Sequence, residues 1–264
     1  MPGRAAAMEL IDTHCHLDVV EFDADRATVL ARARAAGVAA QVVPAIHRAG
    51  WPGLLALCRT EPDLHPALGL HPVYLAQHCD ADLDALAAAI AAERPVAVGE
   101  IGLDWAVDGL DRERQQQLFE RQLAIAREAD LPVILHVRRA HDAVLATLRR
   151  VRVRGGVAHA YSGSLEQARQ YLDLGFRLGF GGMLTFERST KLRRLARALP
   201  LEAIVLETDA PDLTVASHRG ERNSPEYLPE CLAALAAVRG EPPAAVAART
   251  TANARATFAL PPVA

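Results

Sequence analysis

Histidines in this 264-residue chain stand directly after short apolar segments, where their spacing could serve metal chemistry. The first two are His14 and His16, which flank Cys15 after the apolar pair Leu10 and Ile11. Alternate residues of a strand point to the same side, so both imidazoles face one way and Cys15 faces the other. Such a pair is half of a metal site, but two packed or exposed histidines explain the pair alone equally well. Whether His14 and His16 bind a metal therefore depends on whether other segments of the chain supply further ligands.

Similar side chains follow later apolar segments in a regular order, and they are His71, Glu100, His136, His159 and Asp209. A single histidine in such a position is more often a core residue than a ligand. Together, however, these groups would carry several unpaired polar atoms unless they bind a metal or one another. We therefore predict a metal site, and its ligands are His14, His16, Glu100, His136, His159 and Asp209.

Four histidines and two carboxylates exceed the needs of one catalytic zinc ion, which takes about three protein ligands. A site for two divalent ions fits better. Glu100 is the natural bridge, because a carboxylate on a middle strand presents one oxygen to each ion. A water acidified between the ions would be the nucleophile, and Asp209 is the best candidate for the general base. Catalytic roles are thus predicted for Glu100 and Asp209.

Eight alternating strands and helices are needed to position these side chains. The predicted strands cover residues 11–17, 41–44, 65–69, 95–100, 132–136, 156–159, 176–180 and 203–209. Near-continuous apolar strands indicate a parallel sheet buried on both faces, and eight strands close a barrel. Barrel enzymes place their chemistry at the C-terminal face, so we predict a TIM-like (β/α)8 barrel with the metal site there. An open doubly wound sheet is the alternative, but it lacks the expected GxGxxG turn.

Composition adds limits on the class of protein. We expect a short N-terminal extension over residues 1–8 and one domain over residues 9–264. The net charge of −3 gives no basic field, so a polyanion must be attracted locally or by metal ions. Early acidic residues argue against a signal peptide, and no apolar run is long enough to span a membrane. Four cysteines without CxxC spacing indicate reduced thiols, so we expect a cytoplasmic protein with no membrane partner.

Several ordered motifs resemble those of the TatD family of metal-dependent hydrolases, in the amidohydrolase superfamily. They are Asp12-x-His14-x-His16-Leu17, Gly69-Leu70-His71-Pro72, Gly99-Glu100-Ile101-Gly102-Leu103-Asp104, Pro132-Val133-Ile134-Leu135-His136, His159-Ala160-Tyr161-Ser162-Gly163-Ser164 and Glu207-Thr208-Asp209-Ala210-Pro211. The resemblance covers the chain from residue 9 to about residue 260, and the segment 136–142 is most similar to the YjjV-type branch. It implies a TIM-like barrel and nuclease activity that depends on divalent metal.

The resemblance also implies how the ligands are divided. One ion is expected on His14, His16, Glu100 and Asp209, and the other on Glu100, His136 and His159. His71 is expected beside the metals, in contact with a substrate phosphate. Arg222 and Asn223 belong to a late loop motif that is expected to shape the substrate cleft. Residues 105–109 depart from the family pattern, which often has a tyrosine pair there, so substrate contacts from that loop are not implied.

Two acidic residues lie on the same side of a predicted strand as a ligand. Asp12 is two residues before His14, and Glu207 is two residues before Asp209. We predict that both orient ligands as hydrogen-bond acceptors, and for Asp12 the alternative is that it is itself a ligand. A structural ion pair is an equally good interpretation of Glu207.

Three functions fit these features. The first is a deoxyribonuclease that hydrolyses phosphodiesters exonucleolytically with two divalent ions (Mg²⁺, Mn²⁺ or Zn²⁺) and no organic cofactor. The alternative is hydrolysis of a carbon ester or amide, such as removal of a D-amino acid from tRNA, because the same activated water attacks phosphorus or carbonyl carbon. A barrel that only binds a partner is the third, and intact ligands at all six positions argue against it.

Overall fold

The strands of the computed structural model, which describes residues 8–261, form one eight-stranded sheet in sequence order. They are β1 (Leu10–Asp12), β2 (Val38–Pro44), β3 (Leu64–Leu68), β4 (Ala97–Asp104), β5 (Val133–Arg138), β6 (Gly156–Ala158), β7 (Phe176–Phe180) and β8 (Ile204–Leu206). Each strand pairs in parallel with the next. The amide of Thr13 donates to the carbonyl of Leu206, and the amide of Asp209 donates to that of His14, which joins β8 to β1. The predicted TIM-like barrel is confirmed.

Helices connect the strands and continue after β8. They are α1 (Arg26–Ala35), α2 (Trp51–Thr60), α3 (Asp80–Glu93), α4 (Arg112–Glu128), α5 (His141–Arg150), α6 (Leu165–Asp173), α7 (Thr190–Ala198), α8 (Leu228–Arg239) and α9 (Pro243–Phe258). The last helix lies against the N-terminal ends of the strands, because the side chains of Thr251 and Asn253 donate to the carbonyls of Glu9 and Ile204. Among helices of the described residues, none is both long and apolar enough to cross a membrane.

The apolar core has two parts, separated by the sheet. The larger part lies between the strands and the surrounding helices. The smaller part fills the barrel and includes Ile11, Ala40, Val42, Ala67, Ala97, Ile134, Val157 and Val205, together with Phe258 and Leu260 from the end of the chain. The barrel is therefore packed below its C-terminal face, and the polar side chains at that face stand on an apolar floor.

Most strand boundaries differ from the sequence prediction by one to five residues, and three of these differences lie beside the polar side chains of the C-terminal face. The first strand ends at Asp12, although its backbone pairing continues beyond, since the amide of Cys15 donates to the carbonyl of Val42. The last strand ends at Leu206 and not at residue 209 as predicted, and Asp209 itself has a left-handed backbone with φ of +60° that an extended strand excludes. The fourth strand is longer than predicted and continues to residue 104.

The predicted extension over residues 1–8 lies, apart from Met8, outside the described residues. The same holds for residues 262–264 at the other end. The assignment of residues 9–264 to one domain stays a prediction, and the described part of it is the barrel with its helices.

Candidate metal centre

Glu100 lies in the middle of the polar C-terminal face, and its side chain is 1% exposed. Its Oε2 atom is 3.1 Å from Nε2 of His14 and 3.4 Å from Nε2 of His16. Its Oε1 atom is 2.8 Å from Nδ1 of His136 and 2.9 Å from Nε2 of His159. The two carboxylate oxygens of Glu100 therefore face two separate pairs of imidazoles.

Asp209 completes the group around Oε2 of Glu100. Its Oδ1 atom is 3.5 Å from Nε2 of His14 and 3.8 Å from Nε2 of His16. The two Nε2 atoms are themselves only 3.1 Å apart. These ring nitrogens and carboxylate oxygens all carry lone pairs. At such short distances a proton or a cation must lie between them.

His16 and His136 each have one ring nitrogen fixed by an acceptor. Nδ1 of His16 is 3.1 Å from the carbonyl oxygen of Pro44, which only accepts, so Nδ1 carries the hydrogen. Nε2 of His136 is 2.9 Å from Oδ2 of Asp104, so in the neutral ring the hydrogen sits there. Both side chains therefore turn an unprotonated nitrogen toward Glu100, which is the orientation that a metal ligand requires.

His71 lies beside Oε1 of Glu100 and the imidazole of His136. Its Nε2 atom is 3.3 Å from Oε1 of Glu100 and 3.2 Å from Nδ1 of His136. Its Nδ1 atom accepts a hydrogen bond from the amide of Val73, so the hydrogen of the neutral ring is on Nε2. Burial lowers the pKa of His71 to about 4, which keeps the ring neutral. His71 thus offers an N–H donor to the centre, as contact with a substrate oxygen would need.

Asp104 is a residue of this centre to which the sequence analysis gave no role. Its Oδ1 atom accepts hydrogen bonds from the amides of Ala106 and Val107. Burial disfavours the charged carboxylate, but the hydrogen bond from His136 and those two amides outweigh it and lower the pKa of Asp104 to about 2. An anion is therefore maintained behind His136. The four-residue spacing from Glu100, which places both on one side of a strand, was the available signal.

Gly102 allows the fourth and fifth strands to approach each other between these acidic residues. Its φ is +149°, and a Cβ atom there would lie 2.0 Å from the carbonyl oxygen of His136. A side chain at this position would displace β5 and the imidazole that it carries.

The predicted orienting residues contact mainly the backbone. Oδ1 of Asp12 accepts from the amides of His14 and Thr208, and Oδ2 accepts from the Thr208 hydroxyl at 2.5 Å. Asp12 therefore ties together the two segments that carry His14 and Asp209. Glu207 accepts from the amide of Ala160, and its Oε1 atom is 3.8 Å from Nδ1 of His159. That direct contact is too long for a hydrogen bond.

The electrostatics of the centre favour positive charge around Glu100. Burial disfavours its carboxylate, but His159, His71 and His14 hold the pKa of Glu100 well below its usual value. Burial likewise disfavours charge on His16, but Glu100 and Asp209 raise its pKa to about 9. For His159 the same balance raises the pKa to about 10. A carboxylate that stays anionic beside imidazoles with raised pKa values fits divalent metal ions, which compete with protons for the imidazole lone pairs.

Arg222 and Asn223 have protein partners in the structure. The guanidinium of Arg222 forms two hydrogen bonds with Asp25 and lies 4.5 Å from the ring centre of Phe22. The amide of Asn223 is buried and donates to the carbonyls of Thr208 and Asp212. Both side chains fix the loop after β8, and their substrate contacts stay a prediction.

The comparison with protein families covers nearly the whole barrel. Residues 11–259 match the family described as TatD related DNase. The chain belongs to the TatD family. The predicted resemblance is thereby confirmed.

Among TatD relatives, an Escherichia coli K12 protein named "Uncharacterized metal-dependent hydrolase YjjV" is 43% identical over 255 residues, which cover 95% of this chain and 98% of that protein. A Salmonella typhimurium protein named "3'-5' ssDNA/RNA exonuclease TatD" is 35% identical over 257 residues, covering 94% and 98%. The crystal structure of E. coli YjjV, described as a TatD homolog, superposes with a TM-score of 0.93 at 41% identity, covering 97% of this chain and all of the other. The chain is a metal-dependent hydrolase of the TatD family.

Proposed function

We propose that this protein is a deoxyribonuclease that removes nucleotides from the end of a DNA strand with two divalent metal ions. The observation that carries the proposal is the division of the Glu100 carboxylate, whose two oxygens face different pairs of imidazoles. A carboxylate divided in this way can serve two ions at once, and two-metal sites serve phosphodiester hydrolysis.

The residues present fit two ions. Ligand atoms lie within 4.8 Å of one another in three overlapping groups, which are His14–His16–Asp209, His14–Glu100–His159 and His71–Glu100–His136. In our assignment His14, His16 and Asp209 would hold one ion with Oε2 of Glu100, and His136 and His159 would hold the other with Oε1. When bound, divalent ions polarise a phosphoryl oxygen and make a water ligand more acidic. Mg²⁺, Mn²⁺ and Zn²⁺ are the candidates.

Asp209 would remove the proton from the attacking water. Burial, opposed by His159 and His16, raises the pKa of Asp209, which makes it a stronger base than an exposed aspartate. It lines a cavity of about 240 Å³ above the centre, together with His71 and Tyr74. The Nε2–H group of His71 would donate to a phosphate oxygen in that cavity and hold the scissile group beside Asp209.

The names of relatives support a nucleic-acid substrate. The matching family is described as TatD related DNase, and the Salmonella relative is named a 3'-5' ssDNA/RNA exonuclease. Metal ions would supply locally the attraction for a polyanion that the net charge of −3 does not supply. The predicted cytoplasmic location stays a prediction.

The test uses end-labelled single-stranded DNA, duplex DNA, RNA and a D-aminoacyl-tRNA. The protein is treated with a chelator and then supplied with Mg²⁺, Mn²⁺ or Zn²⁺. We expect stepwise shortening of DNA that requires metal and that Glu100→Ala abolishes. Glu128→Ala, at the far end of α4, is the matched control and should degrade DNA as the unaltered protein does. Intact DNA under every metal, with cleavage of the aminoacyl ester, would overturn the proposal.

A further inference from the structure

A second cavity, of about 360 Å³, adjoins the metal centre on the other side of Asp209. It lies among the segments that follow β6, β7 and β8 and the first turns of α7. Asp209 lines this cavity as well as the one above the metal centre. The two cavities therefore share one wall residue, which is also a predicted ligand of the metal centre. We call the second cavity the side cavity.

Glycines keep the end of the seventh strand close to its neighbours at the side cavity. A Cβ atom on Gly179 would lie 2.1 Å from Oε2 of Glu207, and one on Gly182 would lie 2.3 Å from the carbonyl oxygen of Leu213. Met183 and Leu192 add apolar side chains to the lining of the cavity. The side cavity is thus lined mainly by apolar atoms, and close backbone packing defines its shape.

Two cations stand at the same cavity, Arg188 and Lys191. Lys191 is the single lysine of the chain, and its Nζ donates to the carbonyl of Ser162. The guanidinium of Arg188 lies 5.4 Å from the ring centre of Phe186. Both side chains are exposed, and within residues 8–261 neither contacts a carboxylate closely enough for an ion pair. A mainly apolar cavity beside unpaired positive charge suits a ligand that joins a planar ring with apolar faces to an anion.

We propose that the side cavity binds the base of the second nucleotide from the degraded end of the strand, while Arg188 and Lys191 contact the phosphate that follows it. This inference rests on the proposed nuclease function. The scissile phosphate at the metal centre joins the first nucleotide to the second, and the strand continues from the second with further phosphates. The second nucleotide therefore has the scissile phosphate on one side and a further phosphate on the other. Its base and that further phosphate are the combination that the side cavity and the two cations match.

The test places a single abasic nucleotide at the first or at the second position of a single-stranded oligonucleotide. An abasic second position should lower kcat/KM for release of the first nucleotide about tenfold or more, the scale of one base contact. An abasic first position should lower it less. Fluorescence anisotropy with metal chelated measures binding of the same oligonucleotides without hydrolysis, and there too the complete strand should bind more tightly.

Filling the side cavity should remove the preference for the complete strand over the strand with an abasic second nucleotide. Met183→Trp and Leu192→Trp each place a large ring in the side cavity, and each should treat the complete and the abasic strand alike. Ala91→Trp, on the exposed side of α3, adds the same ring far from the site and should keep the discrimination. Thermal unfolding of each variant shows whether it folds, and two independent variants keep the test valid if one does not.

The cations are tested by salt dependence. Replacing Arg188 and Lys191 by alanine should make the slope of log affinity against log salt shallower by roughly 0.7 for each lost phosphate contact. Arg152→Ala, which removes an exposed cation from the loop before β6, should leave that slope as it was. Equal cleavage of complete and abasic strands, or discrimination that survives both tryptophan variants, would overturn this inference and leave the nuclease proposal standing. Absence of hydrolysis of every phosphodiester would overturn both.

Discussion

The Nε2 atom of His136 lies 2.9 Å from Oδ2 of Asp104, and the opposite ring nitrogen lies 2.8 Å from Oε1 of Glu100. His136 is thus held between two carboxylates with different roles. Asp104 fixes the hydrogen on Nε2 and the plane of the ring, so Nδ1 is the nitrogen that would bind an ion. Partners of this kind behind a ligand histidine raise its basicity and fix its orientation.

We therefore expect Asp104→Ala to weaken metal binding although Asp104 is no ligand. The affinity of the ion on His136 and His159 should fall roughly 10- to 100-fold, as for the loss of other such partners. Isothermal titration calorimetry with a chelator-stripped protein measures it. Asp104→Asn keeps an oxygen that can accept from Nε2 and should retain more of the affinity. Equal affinity in Asp104→Ala and the unaltered protein would contradict this role.

The sequence predicted the parts of the centre that depend on strand order. Because the strands of a barrel run parallel, side chains that follow apolar segments meet at one face, and this brought His14 together with Glu100 and Asp209. Asp104 was missed because the fourth strand continues past Glu100, with a register shift against the fifth strand between Val98 and Ile101. Strand length of this kind depends on pairing with a neighbour, which local sequence does not encode.

The sequence patterns also did not predict the hydrogen-bond partners of side chains on the loops. Arg222 was expected to shape the substrate cleft because its segment resembles a late loop motif of the TatD family. In the structure the guanidinium faces Asp25, 197 residues away in sequence. Such a pairing is decided by how the first and last loops of the barrel pack together. Motif spacing therefore predicted which residues gather at the face, but not which way each long side chain turns.

Asp209→Asn should separate proton transfer from metal binding. The amide keeps an oxygen near His14 and His16 but cannot take up a proton at neutral pH. We expect kcat on single-stranded DNA to fall about 10²- to 10⁴-fold at saturating metal, the usual contribution of a general base. Asp173→Asn, at the exposed end of α6, is the control. A kcat that recovers fully at high metal concentration would show that Asp209 acts only as a ligand.

Asn223→Ala should destabilise the barrel and also disturb the metal centre. The buried amide of Asn223 donates to the carbonyls of Thr208 and Asp212, which lie on either side of Asp209. Loss of these donors leaves two carbonyls without partners, so the free energy of unfolding should fall by about 2–4 kcal/mol. Urea denaturation measures this change, and calorimetry of metal binding measures the effect on Asp209.

Asn253→Ala is the matched control for that prediction. Asn253 also donates to two carbonyls, those of Leu201 and Ile204, but at the N-terminal end of the barrel. Its loss should lower stability by a similar amount, and metal affinity should be unchanged. If both variants bound metal equally well, the loop held by Asn223 would have no part in placing Asp209.

His141 should make stability depend on pH through a group outside the metal centre. Its ring packs against Tyr161 and its Nδ1 is 3.2 Å from the Tyr171 hydroxyl. Burial and the nearby Lys191, only partly offset by Asp142, lower the pKa of His141 to about 4. The pKa in the unfolded chain is about 6.5. Between these values the unfolded chain binds a proton that the folded protein does not, so stability falls as pH falls through this range.

The contribution of His141 is the difference between the unaltered protein and His141→Gln. Above about pH 6.5 this difference should be constant; below it, the unaltered protein should lose up to about 1.4 kcal/mol more per pH unit than the variant, until about pH 4. Urea denaturation at several pH values in this range measures both curves. Tyr171→Phe keeps the buried imidazole and should keep the steeper slope. Parallel curves for the unaltered protein and His141→Gln would show that His141 titrates alike in the folded and unfolded states.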